Sequence, residues 1–257
     1  MNRWYGSLTA PEITSRLTEG SILCMPIGSC EQHGPHLPLN TDSIIAERFT
    51  ARLVDRYGDL YDLWVMPMIP YGLSLEHAWS PGTVSLGVGV LTALLDIVVA
   101  GYVRATPARR LLIVNGHGGN RGILEAATYE LEVTHGVRIC VMHPSSLSTV
   151  RTNSPLPEIH AGIRETSVML TLAPGDVHLD RLPDNFAVNE AQRKDIEHLV
   201  LDRGTTWPWT SDNPRIATMG ITGGNPRLAS AELGESIVAS ALDACDAVLK
   251  QLQNPNE

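Results

Sequence analysis

Four short apolar runs, each leading into a segment of helical spacing, set the tightest limit on how this chain can fold. "SILCMPIG" (residues 21–28) is apolar throughout and stops at glycine. "LWVMPMIPYG" (63–72) dissolves into a proline loop, "RLLIVNGHGGN" (110–120) runs into a glycine turn, and "VRICVMH" (137–143) follows. Strands without polar alternation are covered on both faces, which is the mark of a parallel sheet. Between and after them, apolar residues recur at helical spacing over 42–58, 89–105, 121–136 and 229–252. In the helix expected over 42–58, Asp42 stands in capping position and Gly58 closes the end. "HAGIRETSVMLTLAPG" (160–175) begins as a loop and becomes a helix. Alternating strands and helices imply βαβ units, hence an α/β fold with three α/β/α layers and a mostly parallel sheet. With 257 residues, 43% of them hydrophobic, a single domain over 1–257 is expected, and no repeat or linker interrupts it.

Charge excludes several partners. A net charge of −9 offers no electrostatic footprint for nucleic acid or for an anionic membrane. No run of about eighteen apolar residues stands out, so no membrane-spanning helix is expected. "MNRWYGSLTAPE" lacks the apolar core of a signal peptide. Cys24, Cys30, Cys140 and Cys245 are scattered without a CxxC pair, which suits free thiols and a cytoplasmic location. Cys30 adjoins a polar motif, yet nothing nearby in sequence would activate it as a nucleophile.

The titratable residues gather where the strands end. "CEQHGPHLPLNTD" (30–42) packs Glu31, His33 and Asp42 onto a loop stiffened by glycine and prolines. A lone Glu-x-His is an ordinary turn, and an aspartate at a helix start is ordinarily only a cap. Together on one restrained loop they make a metal site the better reading. "NGHGGN" (115–120) places His117 among glycines that let backbone approach a ligand. It lacks the GxGxxG spacing and the lysine of a phosphate loop. "HAGIRETS" (160–167) offers His160 on a loop and Glu165 in the first helical turn. "SLEHAWSPGTVS" (74–85) offers Glu76 and His77, read as a substrate wall or as support for the ligands. Gly118 and Gly119 join that wall. His135, His143, His178 and His198 have no such company. In open parallel sheets ligands bind beyond the carboxyl ends of the strands, so the three clusters that follow the first three strands, Glu31 with His33, Glu76 with His77, and His117, converge on one rim. Trp207 and Trp209 lie in a long irregular stretch (207–226) that suits a pocket cover or a subunit contact.

The stretches "PIGSCEQHGPHLPLNTD", "PYGLSLEHAWSPGTVSL", "LLIVNGHGGN", "HAGIRETS" and "MGITGGNPRLASAELGE" resemble the creatininase (creatinine amidohydrolase) family, in order and over most of the chain. The resemblance implies a three-layer α/β/α fold, a hexamer built as a trimer of dimers, and two divalent ions per subunit, zinc, manganese or iron. Carried over, Glu31, Asp42 and His117 would hold one ion and His33 and Asp42 the other, with Asp42 as the bridge. In creatininase a glutamate follows two residues after the histidine matching His117. Gly119 stands there in this chain, and Glu165 is the natural replacement carboxylate. Creatininase also carries a tryptophan just before the histidine matching His160, and "RTNSPLPE" has none. Both departures argue against creatinine as the substrate.

The implied chemistry is hydrolysis of a carbon–nitrogen bond in a small-molecule cyclic amide, formamide or peptide-like substrate, rather than a typical peptide bond. A metal-bridged hydroxide would attack, and His160 would protonate the departing nitrogen. Creatinine hydrolysis proper and a non-catalytic metal-binding subunit are the alternatives.

Overall fold

The computed structural model describes residues 2–254. Its helices and strands run α1 (Ala10–Arg16), β1 (Ile22–Ile27), α2 (Thr41–Tyr61), β2 (Leu63–Val65), α3 (Val88–Ala105), β3 (Arg110–Asn115) and α4 (Arg121–His135). They continue as β4 (Arg138–Met142), α5 (Pro144–Leu147), α6 (Ile163–Leu172), α7 (Arg193–Ile196) and α8 (Ala231–Gln253). The strands form one sheet in the order β2-β1-β3-β4, and every pairing is parallel.

Because side chains alternate across a strand, each strand feeds two cores. Ile22, Cys24, Leu112 and Val114 point to one face, where they meet Phe49 and Leu53 of α2, Met169 of α6 and Ile237 and Leu249 of α8. Leu23, Met25, Ile27, Leu111 and Ile113 point to the other, against Leu91 and Leu95 of α3 and Leu124 and Leu131 of α4. Both faces are therefore covered, which is why the strands read as continuous apolar runs. This is the expected three-layer α/β/α architecture.

The strand order also locates the place where a ligand can bind. From β1 the chain moves outward to β2, then returns past β1 to β3 on its other side. Helix α2 leaves on one face of the sheet and α4 on the opposite face. Connections that diverge this way open a crevice above the carboxyl ends of β1 and β3. The loops after those two strands carry Glu31, His33 and His117.

Three expectations change. Helix α2 continues past Gly58 and ends at Asp62, whose φ of 50° is left-handed. Gly58 instead makes room for a neighbour, because a Cβ there would sit 2.7 Å from Cδ of Arg3. Asp42 is not the cap of α2: Asn40 holds that position, and no side chain caps the helix. Helix α3 is long and apolar enough to cross a membrane, with a mean hydropathy of 1.8 over 18 residues and only 17% of it buried. Asp96 and Arg104 interrupt the apolar run in sequence, and the helix serves as the β2–β3 crossover, seating Leu91, Leu95 and Val99 on the sheet.

Candidate metal centre

Glycines hold the loops that build the crevice. Gly34 has φ +64°, and a Cβ on it would lie 2.8 Å from Ile221. The Glu31 amide donates to the Leu39 carbonyl at 2.8 Å, which closes the loop. A Cβ on Gly116 would lie 2.2 Å from the backbone oxygen of Asp42. Only glycine lets the end of β3 press against the first turn of α2, and this sets His117 beside Asp42.

The resulting cluster is buried. Glu31 and His33 are 0% exposed, Asp42 1%, His117 4% and His160 5%. His33 Nε2 lies 3.3 Å from Asp42 Oδ1, and His117 Nδ1 lies 3.0 Å from Asp42 Oδ2. The Asp42 carboxylate thus presents one oxygen to each histidine. Glu31 Oε2 is 3.3 Å from His117 Nε2, while Glu31 Oε1 faces His77 Nε2 at 3.4 Å and His160 Nδ1 at 3.5 Å. Glu165 Oε2 is 3.8 Å from His33 Nε2. Among the described residues, three sets have ligand atoms within 4.8 Å of one another: Glu31–Asp42–His117, His33–His160–Glu165 and Glu31–His77–His160.

Hydrogen bonding decides what the rings offer to this cluster. A carbonyl oxygen only accepts, so a ring nitrogen bonded to one must carry the proton. His33 Nδ1 donates to the Glu31 carbonyl at 3.1 Å, His117 Nε2 to Leu73 at 2.7 Å and His160 Nε2 to Gln32 at 2.7 Å. In the neutral rings, the other nitrogen of each is then a lone pair aimed among carboxylates. Histidines that ligate metals are oriented by this kind of outer bond. Both Glu31 oxygens, His33 Nε2 and Asp42 Oδ2 are buried without a hydrogen-bond partner. Ligand atoms about 2.1 Å from one tetrahedral ion stand about 3.4 Å apart, close to the separations found here. Leaving several carboxylates buried and uncompensated costs several kcal/mol per ion, so the donor set fits divalent cations.

Buried side by side, the carboxylates and imidazoles shift one another's protonation. Burial alone disfavours the charged rings, yet Asp42 and Glu31, with Glu165 beside His33 and Glu76 beside His117, lift both His33 and His117 to about 10. Burial raises Glu31 to about 8, with the Asp42 charge adding to it. Burial works the same way on Asp42, but His33 and His117 outweigh it and hold that carboxyl below its usual range. Burial, with neighbouring His77 and His33, keeps the His160 pKa well below that of a free imidazole.

His160 and Glu165 arrive as the sequence suggests. Helix α6 starts after Gly162, leaving His160 on the preceding loop, where its backbone pairs with Thr222. Ala161 adopts φ +54°, and its amide donates to Glu165 Oε2 at 2.5 Å. That left-handed residue turns the chain between the two side chains and aims both into the crevice. Glu76 and His77 stand against the cluster: Glu76 Oε1 is 3.8 Å from His117 Nε2 and His77 Nε2 is 3.4 Å from Glu31 Oε1. Gly119 is required by crowding, since a Cβ there would lie 2.4 Å from His117 Nε2 and 2.7 Å from Glu76 Oε1. Glu76 thus stands on one side of the cluster, beside His117, and Glu165 on the other, beside His33. Gly118 faces open space.

Several partners escaped the sequence reading. The Gln32 amide reaches His77 Nδ1 at 3.0 Å and donates to Ser211 Oγ and the Gly220 carbonyl, each at 3.0 Å. Ser211 also lies 2.7 Å from His77 Nδ1 and accepts from Trp79 Nε1 at 2.9 Å. Asn120 clamps the β1 and β3 loops by donating to the Gly28 carbonyl and accepting from the Leu73 amide. Gln32 and Asn120 both stand inside the quoted motifs, and that position was the available signal. Ser211 had none. Trp209 sets its edge against His77 with centroids 6.0 Å apart, whereas Trp207 is 48% exposed beside His198.

Comparison with known proteins agrees with this geometry. The family model described as creatininase, creatinine amidohydrolase, matches residues 6–249. A mycofactocin precursor peptide peptidase of Mycobacterium tuberculosis is 36% identical over 250 residues, covering 93% of this chain and 88% of that protein. The creatinine amidohydrolase of Pseudomonas putida is 30% identical over 201 residues, covering 70% of this chain and 75% of that protein. A solved creatininase described with Mn superposes with a TM-score of 0.77 at 25% identity, covering 99% of this chain and 100% of that one. The chain is a hydrolase of the creatininase family.

Proposed function

We propose that this protein is a binuclear metal-dependent amidohydrolase that cleaves a carbon–nitrogen bond in a peptide-like or other small amide, and that creatinine is not its substrate. The carrying observation is that His33, His117 and His160 each spend one ring N–H on a backbone carbonyl and turn the other nitrogen toward buried, unpartnered carboxylates. Glu31, Asp42 and His117 would hold one ion, and His33, Asp42 and Glu165 the other. Two divalent ions, zinc, manganese or iron, would lower the pKa of a water and polarise the amide carbonyl.

The chain's own residues supply the rest. Nε2 of His160 carries the ring proton, donated to the Gln32 carbonyl, so its Nδ1 is free to take the proton of the attacking water. The water oxygen bonds to the amide carbon, the carbon–nitrogen bond breaks, and His160 passes that proton to the departing nitrogen. The Gln32 carbonyl fixes the ring so that Nδ1, rather than Nε2, faces the reacting atoms. Gln32 and Ser211 hold His77 against Glu31. Gly118, Gly119, Glu76 and His77 are proposed to border the substrate.

Peptide-like amides are favoured over creatinine because the peptidase relative matches more of the chain, at higher identity, than the creatinine enzyme does. Gly119 and the absence of tryptophan in 151–158 point the same way. A closed, purely structural metal site is the weaker reading, since the Glu165 side chain is 24% exposed and Glu76 18%. The family match over 6–249 supports one domain. Val90, Ile97, Tyr129 and Val133 leave an apolar outer face on α3 and α4, which supports a homo-oligomer, taken as a hexamer by the family resemblance. Four free cysteines suit a cytoplasmic location.

The test is reconstitution. Metal-stripped protein should hydrolyse none of a panel of lactams, formamides and short peptides. Protein reloaded with zinc or manganese should approach two ions per chain and turn over at least one of them but not creatinine. A stoichiometry that stays at or below one rejects the binuclear reading.

A further inference from the structure

A cavity of about 80 Å³ opens beside Glu165 and His160. Its floor is apolar: Phe49 of α2, Val168 of α6, and Ile237, Val238 and Ala241 of α8. Those five side chains are otherwise buried in the core, so this is a gap in the packing at the edge of the charged cluster. Interiors are ordinarily filled to crystal density, and a void lined by such residues destabilises the fold. Its mouth is polar, with Asn115, Glu158 and Arg164 alongside the two site residues. Glu165 is also among the more exposed carboxylates around the cluster, while Glu31 and Asp42 are almost wholly buried. Glu165 therefore borders both the charged cluster and the apolar part of the cavity.

We propose that this cavity is a specificity pocket for a compact, branched aliphatic group carried by the amide substrate. The volume sets the class. A dry cavity of about 150 Å³ admits benzene, so one of about half that size admits an isopropyl or isobutyl group and rejects a phenyl ring. The lining sets the polarity, since the five floor side chains present only hydrocarbon, while Ser145 joins Asn115, Glu158 and Arg164 among the polar lining groups. The pocket deepens the amidohydrolase reading and rests on it, because the group is delivered by a head bound at the metal centre.

Hydroxamates test it without turnover, since the head chelates divalent cations and the tail is free to choose its site. Metal-loaded protein is titrated calorimetrically with acetohydroxamate, 3-methylbutanohydroxamate and phenylacetohydroxamate. The branched compound should bind about tenfold or more tightly than either of the others, in line with several methylenes leaving water. Ala241→Leu fills the floor. It should keep both metals, raise the Tm, and reduce the branched compound to the affinity of the acetyl one. Val168→Leu serves as the second filling variant should Ala241→Leu misfold. Equal affinities across the wild-type series, or a branched preference that survives filling, overturn the pocket while leaving the hydrolase reading in place. Failure of acetohydroxamate itself to bind metal-loaded protein rejects the metal centre, and the pocket with it.

Discussion

The two faces of the sheet are finished differently. On one, α2, α6 and α8 bury their apolar sides against the strands and against one another, and the charged cluster sits at their upper edge. On the other, α3 buries Leu91, Leu95 and Val99 but leaves Val88, Val90 and Ile97 bare, with Tyr129 and Val133 of α4 also exposed. A charged group inside and an apolar group outside are the two arrangements that call for an explanation. The first face gathers donor atoms that fit cations, and the second exposes an apolar surface. On the reading proposed above, the first face holds metal ions and the second packs against further copies of the chain. Substitutions on the two faces should therefore separate chemistry from assembly.

The largest effect is expected from Asp42→Ala. Both oxygens of Asp42 face histidines, and neither is used to cap α2. Elemental analysis should find both ions lost and hydrolysis at background. A variant that still holds two ions shows that Asp42 is not the bridge.

Next come His160→Ala and Glu165→Ala, compared side by side. His160→Ala should retain both ions and lose roughly a hundredfold in rate, the scale of a missing proton carrier. Glu165→Ala should weaken one ion, with activity partly returning at high metal concentration. The grouping of His160 with His33 and Glu165 makes the opposite result a real alternative: if His160→Ala empties a site and Glu165→Ala does not, the roles are exchanged.

How far the sequence carried the site follows from where its residues fall. Glu31 and His33 follow β1 and His117 follows β3, so periodicity alone brings them to one rim, whereas His160 and Glu165 follow no strand and were read from their own motif. The proximity of Glu76 to His117 was not legible, because it depends on Leu73 crossing over Gly119. Ser211 reaches His77 from 134 residues away, and no local pattern records such a contact. Asp42 looked like a cap because aspartate prefers caps, but in the fold it lies inside the first turn. The exposed side of α3 was missed for a related reason: helical spacing marks which residues are apolar, and only the fold shows which of them the sheet covers.

On the second face, Ile97→Glu places a charge at a position 68% exposed in the isolated chain. It should leave metal content and fold unchanged and shift sedimentation to a smaller species. An unchanged assembly removes the outer side of α3 from the interface.

The smallest effect concerns the metal-free protein, and its sign follows from the proton-holding groups. His33 and His117 are raised to about 10 once their carboxylate neighbours outweigh burial, so their stabilising contribution is complete below the ordinary imidazole value and is lost as pH rises through about 10. Glu31 is raised to about 8, chiefly by burial, so its contribution is complete below the ordinary carboxylate value and is lost as pH rises through about 8. Asp42 runs the other way and matters only in acid, where protonation removes its benefit. Between pH 6 and 10 the raised groups dominate, and the Tm of metal-free protein should fall. Each kcal/mol lost lowers the Tm of a chain this size by about 2–4 °C. Metal-loaded protein should not follow, because cations replace those protons and the carboxylates are then charged throughout. The gap between the two melting curves should widen with pH. A metal-free Tm that is flat or rises over this window means that the cluster does not hold its protons, and the buried carboxylates are then not packed as closely as 3.0–3.5 Å contacts require.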